Sequence, residues 1–476
     1  MAIQRRRAAS PRAWITHISP LALRPTEPAH WVLVCLIAAG VAIRAFAAIS
    51  WWPVTTTLPD EIIYASAAAD NPLDNPQHPA GYPAVLALIG TVTREVAVPV
   101  LLQHLSGIAS ALVLYAAVRR ITGTPWPALA PAAVVLLNAD LVYLEHTVMS
   151  ESLFLLALSG ALYAAVRVID SPQPRWAWVL ACGVLLALSG TLRSAGYFCI
   201  PVVVIGVMLA RQRPWRANWR PAVSIVATAA ILLLAYATAA AAVGGRFEIA
   251  PAQGWHLYGR VAPFADCDRF DPPAGTEALC ESAPADQRPG LDYYLFDGSS
   301  PAHREFGPLG AHDGTLGAFG RAALLAQPGD YLSAVWDDVK GFYVPSTYPF
   351  RPGAGSDLDP QLDWSWTLAA AAQRVPTTER DIELGLEGFF DDFSLDVERD
   401  GLERLHDYQR VFRFGATALA ITTALTLLGL LAGPRRNRIG VLLFGVGGLA
   451  ILLLPMLSVH YAARYAVPVA PLLAAG

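Results

Sequence analysis

The sequence predicts an all-α polytopic membrane protein of about ten transmembrane helices, with one large domain outside the membrane. Three observations carry that prediction. Hydrophobic residues make up 54% of the 476 positions and charged residues only 15%, a balance outside that of soluble globular chains. Apolar stretches long enough to cross about 30 Å of hydrocarbon recur along most of the chain, far more than a single anchor needs. Arginines gather at alternate ends of these stretches, at Arg5 to Arg7, Arg119 and Arg120, Arg175, Arg211 to Arg220 and Arg435 to Arg438, which assigns those ends to the cytoplasm.

The elements follow in order. The N-terminal segment, 1–30, is long and basic and the apolar run 31–50 carries no small-residue cleavage site, so that run is expected to stay as the first span. Further spans are expected near 97–118, 127–144, 147–168, 176–194, 196–210 and 221–243, which with the first fill 31–243. Segment 51–96 is too polar and proline-rich to cross and forms the first outer loop. Within it, "LPDEIIYASAAA" reads as a helix start, with Asp60 and Glu61 at the positive end of the dipole. "HPAGYPAVLALIG" is interrupted by Pro79 and Pro83 and suits a juxtamembrane helix. Segment 244–408 holds about 28 of the 38 acidic residues and about 12 of the 34 basic ones, as a translocated extracytoplasmic domain would; this acidity excludes nucleic-acid binding. Segment 409–476 supplies three last spans, near 411–432, 439–458 and 461–476.

Inside the large domain, Cys267 and Cys280 bracket a loop rich in Pro, Asp and Gly and are expected to form a disulfide in an oxidising compartment. Cys35, Cys182 and Cys199 fall in spans and act as small apolar residues. "QPGDYLSAVWDDVKGFY" has helical apolar spacing at Leu332, Val335, Trp336 and Val339, expected to pack. Trp255, His256, Tyr258 and the Tyr293–Tyr294 pair suit a core or stacking on sugar rings. The stretch from Asp357 to Glu403 reads as a helical lid or a loop.

Ionisable residues from distant parts of the chain share one outer level: Asp60, Glu61, Asp140, Glu145, His146, Glu151, Arg193, His460 and Arg464. Charges at the edge of hydrocarbon are costly and usually face a cavity or one another. One chemistry that uses such a set is sugar transfer from a lipid phosphate. A carboxylate accepts the proton of the attacking hydroxyl, while fixed Arg or His donors stabilise the phosphate as it gains charge. Helix capping remains the alternative role for Asp60. Asp60, Glu61 and Glu151 are also the set to which a divalent cation would bind, although no spacing compels a metal or any other cofactor.

Four stretches carry a family resemblance: "PDEIIYASAA" after the Arg44 region, "HPAGYPAVLALIG", "MSESLFLLAL" and "ARYAVPVAPLL". In this order the chain resembles the phospholipid-carrier-dependent glycosyltransferases of the GT-C superfamily, which include protein O-mannosyltransferases and lipid A aminoarabinose transferases. The resemblance covers roughly 31–210 and 411–476. It implies Asp60 as catalytic base, Glu61 as its assistant and Glu151 as the acid opening the fourth span. It further implies donor-site roles for His78, Tyr82, Arg464 and Tyr465, has Arg44 either pair with an acid or approach the lipid phosphate, and leaves Arg193, His460 and Arg464 as candidates for the phosphate. The expected partners are a polyprenyl-phosphate sugar of mannose or arabinose type, a glycan, lipid or protein acceptor of the cell envelope, and membrane lipids. The expected place is the extracytoplasmic face of the cytoplasmic membrane, and one displacement by one base implies inversion. The chain has a single lysine, Lys340, so roles taken by lysine elsewhere fall here to Arg or His. A transporter or lipid flippase is the alternative class. Such proteins place charges near the midplane, in broken helices of paired repeats, whereas here the charges sit at the outer edge and no repeat is evident.

Overall fold

The computed structural model describes residues 27–54, 59–344, 386–391, 396–434, 437–459 and 461–476. Among them the protein is an all-α polytopic membrane protein. Strand pairing is confined to Trp51–Trp52 against Asp396–Val397, antiparallel. The first part comprises α1 (Pro28–Ser50), α2 (Pro59–Ala69), α3 (Gly81–Gly90), α4 (Ala97–Thr122) and α5 (Leu129–Leu137). It continues through α6 (Ala139–Glu145), α7 (Glu151–Ile169), α8 (Trp176–Leu192), α9 (Cys199–Met208) and α10 (Trp215–Gly244). Among the described residues six helices are long and apolar enough to cross a bilayer, and four more apolar helices run 10–17 residues. The end of α4 shows how the boundaries are written. Arg119 and Arg120 occupy its last turn, at the negative end of the dipole, and Gly123 closes it at φ 75°, a conformation that a Cβ would oppose.

α7 is the centre of the bundle, with 72% of its apolar window buried, against 22% for α1. At the rim, α17 (Ala416–Ala432) leaves Ile421, Leu425, Leu428 and Leu431 exposed, as a helix facing lipid does.

The stretch expected as one span, 127–144, is broken. α5 ends at Leu137 and α6 begins at Ala139, with Asn138 extended and its side-chain oxygen accepting from Asp140 N at 3.3 Å. A second break lies opposite, between α16 (Arg399–Val411) and α17. Ala139 N donates to Phe412 O at 2.7 Å, Phe414 N to Asn138 Oδ1 at 3.4 Å, and Tyr408 OH to Leu137 O. Each break supplies the partners the other lacks, the condition under which irregular backbone survives among membrane helices.

A second helical unit lies between these parts: α11 (Gln253–Val261), α12 (Leu291–Phe296), α13 (Pro301–Phe306), α14 (Asp313–Ala326) and α15 (Pro328–Tyr343). It has its own core around Trp255, Tyr258, Tyr294 and Phe319, and Cys267 and Cys280 are joined in a disulfide. In α15, Val335 and Val339 pack as expected, but Leu332 and Trp336 do not: they are 59% and 60% exposed. The buried face of α15 instead runs through Tyr331, Asp338 and Phe342, because Asp338 pairs with buried Arg260 of α11. Arg260 also donates to Met456 O, 3.2 Å, and Val459 O, and Tyr331 OH to Leu457 O. These bonds fix the unit to the end of α18 (Arg438–Leu457), a helix with a π-helical stretch at Val441–Val446. α19 (Ala463–Ala475) follows. The stretch from Asp357 to Glu403 lies largely outside the described residues.

Candidate active site

α2 begins where the sequence places it, with Asp60 and Glu61 in its first turn. Adjacent helical residues diverge by about 100°, and the two acids accordingly go to different places. Glu61 is fully buried and its Oε2 accepts from Val148 N at 3.2 Å, which ties α2 to the link between α6 and α7. Asp60 faces Arg464 and His78. Arg464 Nη2 donates to Asp60 Oδ2 at 2.6 Å, and His78 Nε2 stands 3.6 Å from Oδ1.

One turn along α2, the Tyr64 ring lies 4.9 Å from the rings of both His78 and Tyr82, with its hydroxyl 3.3 Å from Ser150 Oγ. At the start of α7, Glu151 pairs with Arg193, which follows α8. Tyr465 receives both guanidinium groups, Arg193 at 5.4 Å and Arg464 at 5.7 Å from its ring centre. Asp60, His78, Tyr82, Glu151, Arg193, Arg464 and Tyr465 thus join one cluster drawn from four distant stretches of chain. His460 lies outside the described residues. Sequence reasoning missed Tyr64 and Ser150; the i, i+4 spacing of Tyr64 from Asp60 was the available signal.

Burial alone would raise the Asp60 carboxyl, but the charges of Arg464, His78 and Arg193 overcome it and hold the group well below the usual carboxylate range. His256, from α11, is close enough to couple with His78; burial, helped by that neighbour and Arg260, pushes its imidazole down to about 4. The cluster keeps unused valences: Glu151 Oε2, Arg464 Nε, His78 Nε2 and His256 Nδ1 are buried without a hydrogen-bond partner among the described residues. Two carboxylates face two guanidinium groups, so an entering anion would meet a neutral site rich in donors. The three carboxylates considered for a cation do not gather: among the described residues no three acid, His or Cys side chains converge as metal ligands.

Arg44 belongs elsewhere. From α1 it grips Glu145 with two bonds of 2.7 Å, and donates to the carbonyls of Gly40, Val135 and Leu136. Glu145 Oε2 is 3.0 Å from His104 Nδ1, His104 Nε2 is 3.1 Å from His146 Nδ1, and His146 Nε2 is 2.6 Å from Trp51 O. Gln103, also missed in the sequence, connects the two regions: Tyr82 OH bonds its Oε1 at 2.5 Å, and its Nε2 donates to Glu145 O at 2.9 Å.

Residues 77–239 match the family model of dolichyl-phosphate-mannose-protein mannosyltransferases. That match supports a membrane glycosyltransferase of the GT-C class. The matched stretch contains His78, Tyr82, Glu151 and Arg193, while Asp60 and Arg464 lie outside it. No curated protein and no solved structure matches the chain.

Proposed function

We propose that the enzyme moves one sugar from a polyprenyl-phosphate donor to a cell-envelope glycan, lipid or protein, at the extracytoplasmic face of the cytoplasmic membrane, and that Asp60 is the base. The observation that carries this reading is the Asp60–Arg464 bond, set beside His78, Arg193 and Tyr465. At rest, Arg464 quenches the basicity of Asp60. A donor phosphate diester entering the cluster competes for that guanidinium and frees the carboxylate to accept a proton.

In the reaction Asp60 takes the proton of the acceptor hydroxyl, the hydroxyl oxygen bonds the anomeric carbon, and the glycosidic C–O bond breaks toward phosphate. The departing polyprenyl phosphate gains a negative charge, which Arg464 and Arg193 meet with charge-assisted bonds. Backside attack without an enzyme nucleophile inverts the anomeric centre. Segment 244–408 serves in this reading as the outer, acceptor-side domain, with 31–243 and 409–476 as the membrane parts. Mannose- and arabinose-type donors are the sugars to try first.

The test is transfer of radiolabelled sugar from polyprenyl-phosphate donors by purified protein. Asp60→Asn keeps the shape of the site but cannot take a proton, and should lower turnover about 10²- to 10⁴-fold with donor binding retained. Undiminished transfer would return Asp60 to a helix-capping role.

A further inference from the structure

α7 starts at Glu151 and α8 ends just before Arg193. At about 1.5 Å per residue, their other ends lie roughly 25 Å from the Asp60 cluster, across the membrane. There the α7–α8 and α9–α10 links enclose an open cleft of about 610 Å³, lined by Trp176, Arg213, Arg216, Trp219, Arg220 and four prolines. No acidic residue lines it. The neighbouring Asp170 is engaged by Arg120 at 3.0 Å.

Arg213 is built into the wall. Its Nε donates to Asn218 Oδ1 at 2.8 Å, and its Nη1 to Val168 O at 3.1 Å and Ser171 O at 3.2 Å. Nη2 is buried and has no hydrogen-bond partner among the described residues. Arg216 and Arg220, one turn apart on α10, lie 5.7 Å over the rings of Trp215 and Trp219. Trp176, Trp215 and Trp219 are all more than half exposed at this level, as tryptophans at a membrane–water interface are. Beyond the cleft, α10 buries only 28% of its apolar window and shows Val223, Val226 and Ile231 to the surroundings.

We propose that this cleft binds an anionic phospholipid of the leaflet opposite the active site, its phosphate meeting Arg213, Arg216 and Arg220 and its chains lying along α10. Three guanidinium groups without a carboxylate select for negative charge. The apolar face running directly from the cleft selects a lipid over a free anion, because only a lipid covers both.

The experiment uses the full chain purified in mild detergent with phosphatidylglycerol or phosphatidylcholine, and counts retained lipid by native mass spectrometry. Wild type should retain phosphatidylglycerol in preference. The variant Arg216→Gln with Arg220→Gln changes two exposed side chains and should weaken that retention about twenty-five-fold, at roughly fivefold per charge, while phosphatidylcholine retention stays the same. Equal phosphatidylglycerol retention by wild type and variant overturns the site. Thermal stabilisation by inorganic phosphate equal to that by phosphatidylglycerol overturns the lipid assignment in favour of a free anion.

Discussion

Gly107→Ala tests the buried ion pair at its tightest point. A Cβ at Gly107 would stand 1.9 Å from Glu145 Oε1 and 3.0 Å from Arg44 Nη2. An ordinary C···O contact is about 3.3 Å, so the carboxylate would have to retreat by roughly 1.4 Å. A shift of that size breaks at least one of the 2.7 Å bonds to Arg44 and disturbs the 3.0 Å contact with His104. Opening a buried pair typically costs about 3–5 kcal/mol, because an uncompensated charge stays behind. Replacing a helical glycine by alanine works in the other direction by about 1 kcal/mol. The net expectation is a loss of about 2–4 kcal/mol. It is measured by reversible unfolding in mixed micelles with increasing dodecyl sulfate, followed by tryptophan fluorescence. A Gly107→Ala protein as stable as wild type, or more stable by the helix-propensity gain, would refute the argument.

Three further outcomes are expected. Asp60 is held below its ordinary value, so the stability it contributes is fully present above about pH 4–5 and is lost as pH falls through the lower folded value; wild-type kcat/KM should therefore show no acid limb from Asp60 between pH 5 and 8. Arg464→Gln removes the strongest lowering charge and leaves burial to push the group up, so an acid limb should enter the profile, and an unmoved profile counts against the pairing. Removing the disulfide by Cys280→Ser opens a loop with a sequence separation of 13 and should cost the second unit about 3 kcal/mol, read as faster proteolysis between Gly245 and Val344 than in wild type.

Elements whose signal is local were legible in the sequence. Pro59 followed by two acids and a helix-forming run marked the start of α2, and two cysteines bracketing one loop marked the disulfide. The common level of Asp60, Glu151, Arg193 and Arg464 was also legible, because the order of the spans sets it. Pairing was not. Nothing local distinguishes Glu145 from Glu151 as the partner of Arg44, since the choice depends on how α1, α4 and α6 cross. Nor does the dipeptide Asp60–Glu61 reveal that one acid faces the cluster and the other the protein interior; the rotation of α2 about its axis decides that. The exposed Leu332 and Trp336 of α15 defeated periodicity for a related reason: a buried ion pair, Arg260–Asp338, fixed which face turned inward.

The paired breaks have a consequence for biosynthesis. Leu137 and Tyr408, which face each other across them, are separated by 271 residues. At about 5–20 residues per second, roughly 15–55 s pass between the synthesis of one and of the other. Through that interval Ala139 N–H, already placed among membrane helices, has no Phe412 carbonyl to receive it. The early helices must wait in the bilayer with an open backbone donor, held by water or by an insertion factor. The segment carrying Phe412 closes the gap, and Arg464, made later still, reaches Asp60 only after α17 and α18. A chain that stalls before residue 412 thus leaves both the break at Asn138 open and Asp60 without Arg464.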